Sequence, residues 1–161
     1  MRVGWGFDVH RFGGDPPVLL AGVPADPTRG LLGTSDADVV AHAVADALLG
    51  AAALGDLGSF FPSADPQWRG ADSMELLRNV VQRVNDAGLR VTHLDVTLVA
   101  ESVRLDPVRE AVRLALAEVL AVEPGAVSVK ATTTDGLGFL GRDEGVAAMA
   151  VATCSGAGQV S

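Results

Sequence analysis

The chain has 161 residues, a net charge of −8 and a 48% hydrophobic content rich in Ala, Val and Leu, which suits one folded domain with a sizeable core and excludes a disordered chain. The acidic balance excludes a broad nucleic-acid surface, which needs clustered Lys and Arg, so no nucleic-acid partner is expected. No apolar run approaches the roughly 20 residues of a membrane span, and the single Cys154 and the lack of a leader pattern point to a cytoplasmic location with no membrane partner.

Residues 2–10 read as a strand in which Gly4 and Gly6 permit close backbone approach. A turn cluster at 13–17 and the apolar run Val18–Val23 predict a hairpin with it. Residues 24–35 read as loop. A helix is expected from Asp38 to about Leu54, stopped by Gly55, with Ser35 and Asp36 as candidate caps. Gly55–Gly70 is expected to be a long irregular binding loop. Asp72-Ser73-Met74-Glu75 suits the start of a second helix ending at Ala87, with Leu76, Leu77, Val80, Val81 and Val84 on one face. A strand over 91–100, a helix over 106–121 and strands over 127–132 and 146–153 complete the chain. The order ββαβαβ predicts an α+β, ferredoxin-like sandwich: a mixed sheet with helices on one face. Residues 1–154 are expected to form a single catalytic domain and 155–161 a flexible tail.

The chain has three histidines, His10, His42 and His93. Asp8 and His10 stand two apart on a strand, hence on one face with Cα atoms roughly 7 Å apart. His42 lies about one turn into the first helix. Asp8, His10 and His42 together would make a two-histidine, one-carboxylate set with a fourth position free, a donor set that suits zinc. On spacing alone the plainer alternative, histidines with no metal, stays open. Asp38 and Asp46 flank His42 at i−4 and i+4, so one of them is a candidate to orient its ring. His93, without a nearby partner, reads as structural. In Lys130–Arg142, three threonines and Asp135 leave a strand among glycines. Such a loop suits phosphate oxygens, and Asp135 could hold Mg²⁺; a plain β-turn remains the alternative.

Several ordered motifs share one resemblance. They are Gly-x-Gly-x-Asp-x-His at 4–10, Ser-Asp-x-Asp-x-x-x-His at 35–42, the run at 46–58, Phe-Pro-x-x-Asp-Pro at 61–66, Gly-Ala-Asp-Ser at 70–73 and Lys-Ala-Thr-Thr-Thr with Gly-x-Gly-Phe-x-Gly-Arg at 130–142. From Met1 to about Thr153 the chain resembles the 2-C-methyl-D-erythritol 2,4-cyclodiphosphate synthase family of the non-mevalonate isoprenoid pathway. The resemblance implies a lyase that cyclises 4-diphosphocytidyl-2-C-methyl-D-erythritol 2-phosphate and expels CMP. It implies one Zn²⁺ per subunit on Asp8, His10 and His42, and a Mg²⁺ or Mn²⁺ held partly through Asp135. Asp8, His10, Thr34, Ser35, Asp56, Leu57, Gly58, Phe61, Ser63 and Asp65 would bind the methylerythritol portion. Ala100, Val103, Arg104, Leu105, Thr132, Thr133, Thr134 and Asp135 would receive the nucleotide. Thr133, Thr34 and Asp135 would be the catalytic positions.

The resemblance further implies a homotrimer with strands around a threefold axis and sites between subunits. Phe7, Phe139 and Arg142 would line a central cavity able to hold an isoprenoid diphosphate; trimer packing with an Arg142–Glu144 pair is the alternative. Four positions depart from the family pattern. Thr34 stands where His is common, Ala37 where Gly is usual, Asp135 for the commoner Glu, and Val103-Arg104 for Pro-Lys. Two other functions compete: a low-activity relative that binds cytidine nucleotides or isoprenoid diphosphates, and a phosphoesterase using zinc-bound hydroxide.

Overall fold

In the computed structural model, which describes residues 1–156, five strands form one mixed sheet. Strand β1 (Arg2–Gly14) pairs antiparallel with the short β4 (Gly30–Leu31) on one side and with β7 (Gly145–Gly156) on the other. Strand β5 (Leu89–Val99) lies antiparallel to β7 and parallel to the edge strand β6 (Val127–Thr132). Helices α1 (Val39–Ala52), α3 (Ser73–Asp86) and α4 (Arg109–Leu120) cover one face of this sheet. Two single-turn helices, α2 (Leu57–Phe60) and α5 (Gly138–Gly141), sit in loops.

Period-two alternation divides β1 between two environments. Gly4 and Gly6 are buried toward the helices, while Val3, Trp5, Phe7 and Val9 are exposed on the far face. A Cβ on Gly4 would stand 1.9 Å from the Ala47 carbonyl oxygen, and one on Gly6 2.0 Å from that of Ala43. Helix α1 therefore lies backbone to backbone on β1, with alanines facing glycines. Farther along the same face of β1 come Asp8 and His10, opposite the first turn of α1. Leu48 and Leu49 of α1, Leu77, Val80 and Val84 of α3, and Val96 and Leu98 of β5 are at 0% exposure in the core between the layers. Each such side chain contributes roughly 1.5–3 kcal/mol.

The α+β class, the mixed sheet and the one-sided helices agree with expectation; the strand membership differs. Val18–Val23 does not pair with β1. It is split by a turn at Ala21-Gly22 into β2 (Val18–Leu20) and the start of β3 (Val23–Asp26), which form their own two-stranded ribbon. The partner of β1 is instead β4, inside the stretch expected to be loop. The cap of α1 is Asp38 rather than Ser35 or Asp36. Its carboxylate accepts from Val40 and Ala41 N–H at 3.1 and 3.0 Å, and also from Ala21 and Gly22 N–H at 2.9 and 2.6 Å. One fully buried side chain thus ties the β2–β3 turn to the helix start. Burial raises its pKa, and those backbone donors oppose the rise. Residues 55–70 carry α2 and a 3₁₀ turn at Pro66–Trp68 instead of remaining irregular. Ser155 and Gly156, expected in the tail, pair with Arg90 and Leu89; the rest of that tail, 157–161, lies outside the described residues.

Candidate metal centre and substrate cavity

Asp8, His10 and His42 converge on one point, each offering one donor atom. Asp8 Oδ2 stands 2.9 Å from His10 Nε2 and 2.9 Å from His42 Nδ1, and the two ring nitrogens are 3.1 Å apart. The Gly6–Ala43 approach makes this possible, because it brings α1 close enough for His42 to reach over β1. His10 Nδ1 lies 2.8 Å from the Leu32 carbonyl oxygen, which can only accept, so Nδ1 donates and Nε2 turns a lone pair toward the cluster. Three electron-rich atoms at this separation call for a cation among them. The edge of a tetrahedral site with 2.0–2.1 Å bonds is about 3.3 Å, a few tenths wider than these contacts, so the donor set fits a zinc-like ion. Without a metal, a proton on His10 Nε2, within reach of both Asp8 Oδ2 and His42 Nδ1, takes that role. Burial works against the Asp8 charge, but the neighbouring imidazoles, His10 foremost, hold its carboxyl well below the usual carboxylate range. Burial likewise opposes the charged form of His10, and Asp8 with the Leu32 carbonyl overcomes it and raises the His10 pKa.

Beside the cluster opens a cavity of about 220 Å³. Its walls bring together the expected Thr34, Ser35, Leu57, Gly58, Phe61 and Ser63 with His10 and His42. They add Trp68 and Leu76, which the sequence reading did not assign to the site; the ring of Phe61 meets Trp68 edge-on at 4.9 Å between centroids. Asp56 and Asp65 are not among these walls. Asp56 caps α2, accepting from Ser59 N–H at 2.8 Å, and Asp65 caps the 3₁₀ turn, accepting from Gln67 N–H at 3.1 Å. Both shape the loop that carries the walls. Ala37 has φ +58°, where glycine is at ease, which places about 1–2 kcal/mol of backbone strain between Ser35 and α1.

The residues expected to orient His42 do other work. Asp38 caps α1, and Asp46 accepts from Leu57 N–H at 2.7 Å, holding the start of α2 against α1. His42 Nε2 instead faces the hydroxyls of Ser73, at 2.9 Å, and Ser35, at 3.0 Å. Ser73 appeared in the sequence only as part of a motif. Its 31-residue separation from His42 hid the contact.

The expected nucleotide residues gather around a second cavity of about 230 Å³, walled by Ala100, Val103, Arg104, Leu105, Thr132 and Thr133, with Asp106 and Arg109 in addition. It shares no wall residue with the first. Thr134 and Asp135 lie beyond its walls: Thr134 Oγ1 donates to the Leu137 carbonyl at 2.6 Å, and Asp135 adopts φ +56°. Loop 100–105 is fixed from behind by Arg29. This guanidinium donates to Asp26 at 2.9 Å, Asp143 at 2.9 Å and Ser102 Oγ at 2.7 Å, and stands 4.1 Å from the centre of the Phe12 ring.

Phe7, Phe139 and Arg142 do not close a cavity within one chain. Phe7 stacks on Trp5 at 6.2 Å on the exposed sheet face. Phe139 borders a shallow hollow with Val9 and Glu144, and Arg142 donates to Glu144 at 2.7 Å. His93 sits on the same sheet, paired by register with Thr153, and takes no part in the metal cluster. No helix among the described residues is long and apolar enough to cross a membrane.

A family model described as the YgbB family matches residues 1–155. The 2-C-methyl-D-erythritol 2,4-cyclodiphosphate synthase of Pectobacterium atrosepticum is 54% identical over 152 residues, covering 94% of this chain and 92% of its own. The solved structure of bifunctional IspDF from Campylobacter jejuni superposes with a TM-score of 0.93 at 42% identity, over 96% of this chain. This chain spans 42% of that longer protein. A 2C-methyl-D-erythritol-2,4-cyclodiphosphate synthase solved with CDP bound gives a TM-score of 0.86 at 32% identity, over 96% of this chain and all of its own.

Proposed function

This chain belongs to the YgbB family and is a cyclodiphosphate synthase of isoprenoid biosynthesis, and we propose that it works through a zinc ion on Asp8, His10 and His42 at a site shared between subunits. As a lyase it converts 4-diphosphocytidyl-2-C-methyl-D-erythritol 2-phosphate to 2-C-methyl-D-erythritol 2,4-cyclodiphosphate and CMP. One 2-phosphate oxygen bonds to the β-phosphorus, the bond from that phosphorus to the bridging oxygen breaks, and CMP departs with the oxygen. The attacking group belongs to the substrate, so the protein supplies positioning and charge neutralisation rather than a nucleophile. Zinc bound at the cluster would supply Lewis-acid stabilisation of the phosphoryl oxygens. A Mg²⁺ or Mn²⁺ would rest partly on Asp135.

The remaining work falls to side chains. Thr34 and Ser35 offer hydroxyl donors beside the cluster, while Leu57, Phe61, Trp68 and Leu76 keep water from the carbon skeleton. Arg104 brings a fixed positive charge to the nucleotide pocket, and Thr132 and Thr133 bring hydroxyls. Asp56 and Asp65 act on the substrate through the loop they cap.

Two features support a homotrimer with sites between chains. The zinc-side and nucleotide-side residues line separate cavities of one chain, so a neighbouring copy could complete each site. The outer sheet face carries Val3, Trp5, Phe7, Val9 and Val151 at 39–61% exposure, an apolar strip suited to burial against other copies. Phe139 and Arg142 border that face and would meet their counterparts in a central cavity able to take an isoprenoid diphosphate. The buried Cys154 is free, consistent with a reducing cytoplasm.

The convergence of three donor atoms at the rim of the cavity built by Thr34, Ser35 and residues 57–63 carries this reading. Incubation with the diphosphocytidyl substrate, Zn²⁺ and Mg²⁺ is expected to give the cyclic diphosphate and CMP. CMP with a linear diphosphate would indicate hydrolysis, and no turnover at full zinc occupancy would sink the enzyme reading.

A further inference from the structure

His42 has two ring nitrogens and only one of them faces the cluster, so its tautomer decides whether a metal can bind. Nδ1 points at Asp8 and His10, and Nε2 points at Ser73 Oγ, 2.9 Å away. Ser73, at the first position of α3, is 1% exposed, so bulk water does not compete for its hydroxyl. That hydroxyl also contacts Asp36 Oδ1, and the Ser73 backbone N–H donates to Asp36 Oδ2 at 3.1 Å. A carboxylate oxygen accepts. The Ser73 proton is therefore committed to Asp36, and what Ser73 Oγ turns toward His42 is a lone pair. It follows that Nε2 carries the hydrogen and Nδ1 is left bare.

We infer that Asp36 and Ser73 are a positioning pair that holds His42 in its metal-binding tautomer. His10 is held in the complementary sense by the Leu32 carbonyl, so both imidazoles present lone pairs to the same point. Ser35 cannot substitute for the pair. Its hydroxyl lies 3.0 Å from His42 Nε2 and 3.1 Å from Ser73 Oγ, with no carboxylate to fix its proton, and can serve the ring as donor or acceptor. The geometry also explains why the strap before α1 is tied to the start of α3. Asp36 N–H donates to the Ala71 carbonyl at 3.0 Å, and Gly70 N–H to the Thr34 carbonyl at 2.8 Å, setting the carboxylate against Ser73.

The inference rests on the metal reading of the cluster, and two measurements separate their fates. Zinc affinity, read by competition with a chromophoric chelator, is expected to fall 10–100-fold in Ser73→Ala and Asp36→Ala and to recover in Ser73→Thr, which keeps the hydroxyl. In the metal-free protein, long-range ¹H–¹⁵N spectra should show His42 as the Nε2–H form, and a mixture of tautomers in Ser73→Ala. Circular dichroism of each apo variant reports whether it folds, and Asp36→Ala carries the test if Ser73→Ala does not: wild-type zinc affinity in that variant would equally overturn the pair. A Ser73→Ala protein with wild-type zinc affinity and an unchanged tautomer overturns the positioning pair. A wild-type protein that takes up no zinc overturns the metal reading, while the tautomer spectra still judge the pair.

Discussion

Replacing Gly6 by alanine adds one methyl group at the interface that brings Asp8, His10 and His42 together. The new Cβ would stand 2.0 Å from the Ala43 carbonyl oxygen and 2.7 Å from the Ala47 nitrogen, both backbone atoms with no rotamer to change. Ordinary contact begins near 3.4 Å, so β1 and α1 must separate locally by about 1.4 Å. Overpacking of this kind destabilises by about 1–3 kcal/mol, and a collision with backbone belongs at the upper end. The same displacement moves His42 from Asp8 Oδ2, stretching a 2.9 Å contact beyond the span of one tetrahedral ion. Gly6→Ala should therefore lose thermal stability and zinc affinity together. Gly50→Ala is the internal comparison: it lies across the same interface, its Cβ meets nothing closer than 3.9 Å, and alanine favours the helix by roughly 1 kcal/mol. Thermal unfolding of the apo proteins and zinc binding by chelator competition read both effects. A Gly6→Ala protein that melts and binds zinc like wild type would refute the backbone-contact argument.

Thr34→His places a cationic donor where a neutral hydroxyl now lines the cavity. Charge-assisted hydrogen bonds are about twice as strong as neutral ones, and kcat should rise about tenfold, or about 1.4 kcal/mol; an unchanged kcat would show that the neutral hydroxyl at position 34 does not limit the rate. Arg29→Ala removes the donor behind Ser102, and affinity for CDP should fall about fivefold while zinc affinity stays fixed. Equal losses of both would point to general unfolding. Asp26 answers to pH. The Thr28 hydroxyl and N–H, and beyond them Arg29, depress its pKa to about 2 from 3.8. A depressed carboxyl stabilises the fold fully above the unfolded value and loses that contribution as pH falls toward 2. Asp26→Asn should melt below wild type at pH 6, with the gap narrowing below pH 4; a gap constant with pH would contradict the assignment.

The convergence of Asp8, His10 and His42 was legible because strand geometry is simple. Residues two apart share a face, glycines at 4 and 6 mark the approach of another backbone, and a chain with three histidines offers few third ligands. The orientation of His42 was not legible. Asp38 and Asp46 have the right helical spacing, but Asp38 precedes the helix with φ −69° and ψ 96°, so its side chain turns back to the first amides. Asp46 meets the start of α2 instead. The residues at the ring, Ser35 in the loop before α1 and Ser73 at the start of α3, are joined only by tertiary hydrogen bonds, which no local period encodes. The hairpin failed for a related reason. Val18–Val23 has strand composition throughout, yet the turn at Ala21-Gly22 is drawn onto Asp38, and this tertiary contact breaks the run in two.

A zinc titration of the metal-stripped enzyme, read as turnover of the diphosphocytidyl substrate at fixed Mg²⁺, tests whether an ion on Asp8, His10 and His42 drives the cyclisation. Cyclic product should rise linearly with added zinc, break at one ion per chain, and be abolished in His42→Ala while that variant remains folded. Full turnover by metal-free protein, or the same titration in His42→Ala, would contradict it.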